Sequence, residues 1–443
     1  MSKSQHVECG TWPSDSLPSS WEWAKFEDFF YDRTNSIKKI QRKDYCEYGK
    51  YPIIDQGQEL IGGYSNSRET VAQTSLPCIV WGDHTRCIKY ITQEFIQGAD
   101  GVKVLEPSPA IDPRFSYLAM LCVTLPNKGY SRHFKFLKAT TFPLPPLAEQ
   151  RRIVAKLDSL TARIARARAE LERAKRLQKQ WFSKFLDSEF SCDGELLRLG
   201  ELAEDVRYGT AQKCDYNPTL TPVLRIPNIA SGNIDTSDLK HSTFTEKEIK
   251  KLSLCSGDLL IVRSNGSIDL VGQSAVADTQ VSGFLFAGYL IRIRLKNKEV
   301  TPYFVHYWLR SPQARSAINA AAKSTSGVNN INSEQLKNLQ IKIPSLSKQR
   351  IIVSRVIKAF SHADRLETEA ERVLALLDRL ESSLLAKAFR GELVPQDPDD
   401  EPASVLLDRI QAERAAAPKP KRGRKQSTQD MPVPRQRQTE KHD

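Results

Sequence analysis

Residues 145–154 read PPLAEQRRIV and residues 344–353 read PSLSKQRIIV, so nearly the same phrase returns 199 positions later. After each copy, apolar residues recur at alternating steps of four and three, the heptad pattern of helices that pack along one another. Each row of apolar residues forms a seam along one face of its helix. The two seams share one register, and only Gln178 interrupts the pattern. Their clearest positions are Ile153, Leu157, Leu160, Ile164 and Leu171 in the first copy and Ile352, Val356, Leu366, Val373, Leu377 and Leu380 in the second.

A single apolar stripe would more simply indicate a helix that docks on its own domain. Two gapless stripes in one register favour two helices that pack on each other. Prolines precede both stripes, and Gly194 and Gly391 follow them, which marks the ends of the helices. From Ile153 to Phe190 a helix would run about 57 Å at 1.5 Å per residue. The repeated element is therefore interpreted as a spacer.

The remaining stretches contain short apolar runs such as LPCIVW and GDLLIVR, broken by Gly, Asn, Asp and Pro. This pattern is typical of mixed strand and helix domains. The chain is thus predicted to be α+β, with two similar globules and two long helices in a pseudo-twofold arrangement. The predicted boundaries are 1–142 and 193–342 for the globules, 143–192 and 343–394 for the helices, 395–417 for a short C-terminal helix and 418–443 for a basic disordered tail.

The composition points to a polyanionic partner. The 443 residues carry a net charge of +12, and much of the excess lies in the first long helix and near the end of the chain. The eight cysteines are scattered without a CxxC pair, which argues against a zinc ribbon or a disulfide scaffold. No apolar run approaches the roughly 18 to 20 residues of a membrane helix. We expect a cytoplasmic protein that binds no metal.

No catalytic motif is recognisable in the sequence. Gly49 and Lys50 form the only GK pair, but Asp44 stands where a P-loop would need its first glycine. The nearest string to an amino-methyltransferase NPPY motif is NPTL at 217–220, which reads as a turn. His84 and His133 have no cysteine or serine setting of a catalytic triad. We therefore expect no catalytic residues and no cofactor bound by this chain.

Four polar loops in the globules contain residue types that contact DNA. Arginine suits guanine and asparagine suits adenine in the major groove, whereas lysine mostly contacts phosphate. Each loop by itself is a weak signal, because a turn or a structural hydrogen bond explains a single loop more simply than contact with a base does. The candidates for DNA binding are Asp83, His84 and Arg86; Arg132, His133 and Lys135; Arg263 and Asn265; and Lys323, Asn329 and Asn330.

Together with the duplicated phrase, the strings VWGDHTR, SGDLLIVRSNGS and FRGELVPQDPDDEPASVLLDRI resemble the specificity subunits of type I restriction-modification systems. The resemblance implies two target recognition domains, each reading one half of a split DNA site, and an antiparallel coiled coil that sets the gap between the halves. Lengthening the first helix is then expected to change the gap and leave both halves intact.

The same resemblance implies partners. These are double-stranded DNA, two modification subunits that use S-adenosylmethionine to methylate adenine, and restriction subunits that use ATP and Mg²⁺. A coiled-coil scaffold that joins protein partners is the alternative, although it leaves the basic charge and the polar loops unexplained. The C-terminal helix, with Asp400 as a cap, Pro402 in its first turn and Leu406, Leu407 and Ile410 as its apolar face, is expected to dock on the bundle end or on a modification subunit.

Overall fold

The computed structural model describes residues 11–12, 16–129, 131–296, 299–325 and 327–416, with residues 323–325 described by their backbone. Its contacts divide the chain into two units. Unit 1 takes the residues up to Ile164 and those from Asp378 onward, and unit 2 takes residues Ala165 to Leu377. Both boundaries fall inside the two long helices, so each helix contributes one end to each unit.

Unit 1 is a mixed globule of short strands and helices, joined by three 3₁₀ turns at Thr34–Ser36, Arg42–Asp44 and Arg68–Thr70. Its strands are β1 (Glu22–Lys25), β2 (Phe30–Asp32), β3 (Lys39–Ile40), β4 (Tyr51–Ile54), β5 (Gly63–Ser65), β6 (Cys78–Gly82), β7 (Ile88–Ile91), β8 (Ile96–Gly98), β9 (Val102–Pro107) and β10 (Thr141–Leu144). Its helices are α1 (Phe26–Phe29), α2 (Pro113–Cys122), α3 (Phe134–Lys138) and the beginning of α4 (Leu147–Phe190).

Two four-stranded sheets and a two-stranded ribbon organise unit 1. One sheet has the order β2-β9-β6-β7 with antiparallel neighbours. The other has the order β3-β8-β4-β5, in which β8 is parallel to both β3 and β4. The ribbon pairs β1 with β10 just before α4. Because β6 (CIVWG) is buried along its whole length, it lies at the centre of the core.

Unit 2 repeats this organisation. Its strands are β11 (Glu195–Arg198), β12 (Ala203–Tyr208), β13 (Thr221–Leu224), β14 (Lys240–Ser242), β15 (Leu259–Val262), β16 (Ser264–Asn265), β17 (Ser274–Val276), β18 (Leu285–Phe286), β19 (Leu290–Leu295), β20 (Lys323–Thr325), β21 (Val328–Asn330) and β22 (Gln340–Ile343). Its helices are α5 (Leu199–Leu202), α6 (Ile226–Ile229), α7 (Glu246–Leu252), α8 (Pro302–Leu309), α9 (Pro312–Ala321), α10 (Ser333–Lys337) and most of α11 (Leu346–Ala388).

The sheets of the two units correspond, except that β3 has no counterpart among the described strands of unit 2. The antiparallel order β12-β19-β15-β17 matches β2-β9-β6-β7, and the order β14-β13-β18 matches β5-β4-β8, including its parallel pair. The ribbon β11-β22 precedes α11 as β1-β10 precedes α4. Unit 2 adds the small sheet β16-β21-β20. The predicted fold class, two mixed domains combined with two long helices, is confirmed.

Within unit 2, the long helices run antiparallel. The rings of Phe182 and Phe360 meet edge to face with centroids 4.5 Å apart. Gln178 Nε2 donates to the carbonyl of Ala363 at 3.0 Å. The polar residue that interrupts the seam is therefore hydrogen-bonded to the partner helix. Residue numbers rise along one helix as they fall along the other, which defines the antiparallel direction.

The seam is less strictly heptad than the sequence suggests. Ile153, Leu157, Ile164, Ile352 and Val356 are buried, and Leu160, Leu171 and Leu377 are half-buried. The structure departs from the predicted seam in the second helix, where Leu366, Val373 and Leu380 are 45%, 36% and 46% exposed. Leu374 follows Val373 and Glu381 follows Leu380, and both of these following residues are half-buried. A helix of 3.6 residues per turn drifts by about 20° per heptad, so the inward face moves forward by one residue.

A last helix, α12 (Ala403–Ala416), packs on unit 1. Ala403, Leu406 and Ile410 are buried in the same core as Phe115, Phe142 and Ile153. Asp400 precedes the helix and forms an ion pair with Arg152 at 2.6 Å. Of the two expected docking places, the structure shows the bundle end, because this core of unit 1 also contains Ile153 of α4 and Ala388 at the end of α11. The predicted basic tail, 418–443, lies outside the described residues.

Among the described residues, no helix is both long and apolar enough to cross a membrane. The same part of the chain contains no group of three or more His, Cys, Asp or Glu side chains placed to hold a metal ion.

Candidate nucleic-acid interface

The two predicted loops of unit 1 lie against each other. The GDHTR loop follows β6, and the segment SRHF leads into α3. The amide of His133 donates to the Asp83 carbonyl at 3.0 Å, and the amide of Phe134 donates to Asp83 Oδ1 at 2.8 Å. Asp83 thus binds the first amide of α3, where a carboxylate is favourable.

This contact changes the interpretation of two candidates. Asp83 is 4% exposed and His133 is fully buried, so neither side chain is placed to meet a DNA base. The His133 ring also faces the Asp83 carbonyl, with Nδ1 at 3.3 Å. The prediction that Asp83 and His133 contact DNA is therefore corrected. Both are buried beneath the loops, and their hydrogen bonds join the two loops to each other.

The remaining candidates of unit 1 lie nearer the surface. Arg86, Arg132 and Lys135 are exposed, and His84 is half-buried with its backbone amide directed at Gln56 Oε1 at 3.4 Å. Arg86 has a φ of +61°, a left-handed conformation that a non-glycine residue adopts at a cost of about 1–2 kcal/mol. The tight turn holds this arginine at the loop tip. These four residues remain candidates for contact with DNA.

The predicted loops of unit 2 also come together, here in the small sheet. Asn265 of β16 pairs with Asn329 of β21, and Arg263 Nε donates to Asn330 Oδ1 at 3.3 Å. The side-chain amide of Asn329 donates to the Gly266 carbonyl at 3.0 Å. Asn265 Oδ1 accepts from the backbone amide two residues later at 2.9 Å, as in an Asx turn. Four of the five candidates therefore form one cluster.

Lys323 is the fifth candidate of unit 2. Its backbone pairs with Asn330 in the small sheet, and its side chain lies outside the described part of the structure.

Aromatic residues that the sequence reasoning missed surround the unit 2 cluster. The Arg263 guanidinium lies over the Tyr208 ring, 4.6 Å from its centroid, and Lys240 lies over Tyr216 at 4.9 Å. Tyr289, which is 64% exposed, accepts a backbone hydrogen bond from Arg263. Exposed tyrosines beside basic residues are suited to contacts with bases. The strings VRYG and AGYL carry such tyrosines, but no local pattern in them indicates a binding surface.

Beside this cluster lies an open cavity of about 630 Å³. Its wall is lined by Lys213, Arg225, Lys240 and Tyr289, among other residues. Arg225 is already paired with Asp238 at 2.8 Å. Two lysines and an exposed tyrosine around one concave surface provide the positive potential and apolar face that a nucleic-acid strand requires.

A second charged group supports the sheet. Partial burial raises the pKa of Asp205, but hydrogen bonds from Arg207 and Arg292 outweigh this effect and hold its pKa below the ordinary value. Arg294 is bound at 2.7 Å to the buried Asp258. Since these arginines are neutralised by carboxylates within unit 2, we assign them to the framework.

Two globular units with matching strand orders, each of which brings polar loops together, define a class of modular recognition proteins. The family described as the type I restriction modification DNA specificity domain matches the chain twice, over residues 18–176 and 193–374. The chain therefore belongs to this family.

Individual relatives are consistent with the family match. The chain is 33% identical over 310 residues to the type I restriction enzyme EcoKI specificity subunit of Escherichia coli K12, which covers 64% of this chain and 66% of that protein. It is 30% identical over 308 residues to the StySPI specificity subunit of Salmonella potsdam, with coverage of 64% and 66%. The matched region thus spans just under two thirds of the length of each of these relatives.

Two solved structures share the fold. The first belongs to work on complex assembly and conformational transition of the type I R-M system; it covers 86% of this chain and all of its own, with a TM-score of 0.64 and 20% identity. The HsdS subunit of Thermoanaerobacter tengcongensis covers 85% of this chain and 98% of its own, with a TM-score of 0.51 and 19% identity.

Proposed function

We propose that this chain is the DNA sequence-recognition subunit of a type I restriction-modification complex and performs no catalysis of its own. Each unit reads one half of a bipartite DNA target. The observation that carries this proposal is the double family match, because it falls once on each of two units with the same strand order. Both units also bring their polar loops together at the surface, as a reader of a half-site requires.

The long helices set the gap between the two halves. In unit 2 they pack antiparallel through Phe182 and Phe360, and each helix continues into unit 1. A rigid element shared by two readers fixes the distance between the base pairs they contact. The alternative function, a coiled-coil scaffold for protein partners, is less well supported because the family match also covers the globular parts.

The partners in this proposal are double-stranded DNA, two modification subunits and restriction subunits. S-adenosylmethionine, ATP and Mg²⁺ are bound by these partner subunits, and the complex acts in the cytoplasm on the cell's DNA. This assignment is supported by relatives named as specificity subunits of type I restriction enzymes and by the structural neighbour from a study of type I complex assembly.

The test is a genome-wide map of N6-methyladenine in the host with and without this gene. We expect the deletion to remove one split motif, two short sequences around a fixed gap, and the restored gene to return it. Inactivation of the modification subunit should remove the same motif. A map that is identical with and without the gene, in a host whose modification subunit is active, would contradict the proposed function.

A further inference from the structure

Arg263 is held in place from several sides. Its backbone amide donates to the Tyr289 carbonyl at 2.9 Å, and its own carbonyl accepts from the amide of Ile331 at 2.8 Å. Its Nε donates to Asn330 Oδ1, and the guanidinium lies on the face of Tyr208. These contacts constrain the backbone of Arg263, the rotation of its side chain and the plane of its guanidinium group before any ligand binds.

Tyr208 is fixed in turn by the beginning of α10. Its hydroxyl oxygen accepts from the amide of Ser333 at 2.8 Å and lies 3.1 Å from the Ser333 hydroxyl. The ring on which Arg263 rests is therefore attached to a helix rather than free to turn. Tyr208 and Asn330 are positioning residues for the guanidinium.

The terminal nitrogens of Arg263 remain available. Among the described residues, Nη1 and Nη2 have no hydrogen-bond or carboxylate partner, and neither belongs to the buried polar atoms that lack one. The nearby Arg207 differs, because Asp205 neutralises it at 2.6 Å. Arg263 thus presents two parallel N–H groups with an uncompensated positive charge.

We propose that Arg263 reads a guanine in the half-site of unit 2, with Nη1 and Nη2 donating to its O6 and N7. This inference rests on the proposed function. Guanine O6 and N7 are the major-groove acceptors that match an arginine fork. A phosphate contact tolerates a mobile side chain, whereas a base contact requires the orientation that Tyr208 and Asn330 provide. Asp83, which follows β6 as Arg263 follows β15, is buried, so this reading is a property of unit 2.

The experiment uses the full chain in complex with its modification subunits. The wild-type methylation map first supplies the split motif. Binding is then measured for duplexes in which each guanine of the motif is replaced singly by 7-deazaguanine, which lacks the N7 acceptor. For the wild type, we expect one guanine in one half-site to show a loss of roughly tenfold, within the range of a lost bidentate contact.

The variants identify the residue responsible. Arg263→Ala and Arg263→Gln should bind the unmodified duplex about 5- to 150-fold more weakly and be indifferent to 7-deaza substitution at that guanine alone. Tyr208→Phe keeps the ring and removes the hydroxyl. We expect 7-deaza substitution at the same guanine to weaken binding by this variant less than it weakens binding by the wild type. Arg207→Gln, the matched control on the strand that carries Tyr208, should respond to each 7-deazaguanine as the wild type does.

The outcomes separate the two proposals. If Arg263→Ala weakens binding but keeps the full wild-type 7-deaza pattern, the arginine contacts phosphate and the inference fails. If Arg263→Ala binds like the wild type, or no guanine is sensitive, the inference also fails. A wild-type complex that methylates no split motif overturns the proposed function and this inference with it.

Discussion

Gln150 and Gln349 occupy the same place in the two copies of the repeated phrase, and both are fully buried. Gln150 Oε1 accepts from the amide of Asp112, and its Nε2 donates to the Pro145 carbonyl, both at 2.9 Å. Gln349 makes the equivalent bonds to the amide of Thr301 and to the carbonyl of Pro344, also at 2.9 Å. Asp112 and Thr301 are the N-caps of α2 and α8, so each glutamine joins a long helix to its globule.

We expect Gln349→Leu to lower the free energy of unfolding of unit 2 by about 2–4 kcal/mol. The leucine fits the volume but leaves the Thr301 amide and the Pro344 and Glu299 carbonyls without this partner in a buried place. Urea denaturation followed by circular dichroism measures the change. The adjacent exposed Arg350→Leu is the control and should stay within about 0.5 kcal/mol of the wild type. Equal effects of the two substitutions would contradict the role assigned to Gln349.

His306 gives unit 2 a dependence on pH. It is buried, with Nδ1 3.0 Å from the Ser274 hydroxyl, and burial, aided by the charge of Arg310, lowers its pKa to about 3. The unfolded chain has a histidine pKa near 6.5. Below pH 6.5 the unfolded chain therefore binds a proton that the folded unit does not, and stability falls until the pH approaches 3.

The expected slope from this group is about 1.0–1.3 kcal/mol per pH unit between pH 6 and pH 4, and its contribution fades above about pH 7.5. His306→Gln removes the titration, so its free energy of unfolding should fall less steeply with acid than that of the wild type. Denaturant unfolding at several pH values measures both slopes. Parallel slopes for the two proteins would show that His306 does not titrate on unfolding.

At the scale of elements, the C-terminal helix α12 stabilises the first globule. Besides the buried Leu406 and Ile410, it places Arg414 over the Tyr31 ring at 3.9 Å. The amide of Ala403 donates to the Ser20 carbonyl at 3.2 Å, so the helix also holds the chain that leads into β1. This helix lies far from the rest of unit 1 in sequence, yet it completes the core of that unit.

Leu406→Ala should destabilise unit 1 by about 2–5 kcal/mol, because it leaves a cavity in a filled core. Val405 in the same helix is 48% exposed, so Val405→Ala is expected to change stability by less than about 0.5 kcal/mol. Hydrogen exchange of the β1 and β10 amides reports the loss locally. Unchanged protection of these amides in Leu406→Ala would argue against α12 as part of the unit 1 core.

The long helices were predictable from the sequence, and their inward face only in part. The heptad steps locate Ile153 and Ile352 correctly, but Trp181 on the same steps is 55% exposed while Phe182 packs on Phe360. The drift between 3.5 and 3.6 residues per turn accumulates along a helix, so an error of one residue appears far from its start. The loops were harder still. The hydrogen bonds of Asp83 span about 50 residues along the chain, and no local pattern distinguishes a buried carboxylate from an exposed one.

At the scale of the whole molecule, the two units share two helices, so the sharpest test of the spacer changes the length of both. The hydrogen bond from Gln178 to Ala363 sets the antiparallel register. One heptad further along in this register, Leu171 stands opposite Ala370. Lengthening the first helix alone, which is expected from the sequence to change the gap, also shifts this register. One heptad added after each of these two residues preserves the register and isolates the effect of length.

We expect the chain with residues 165–171 and 364–370 both duplicated to methylate a motif with the same two halves and a longer gap. Seven residues add about 10.5 Å of helix, which corresponds to roughly three base pairs of duplex. The measurement is the N6-methyladenine map of a host that carries the duplicated gene. Arg176→Gln, which keeps both helix lengths, should retain the wild-type gap. If the duplicated chain supports methylation at the original gap, the helices do not set the distance between the half-sites, and the spacing must then be determined within the globular units or by the partner subunits.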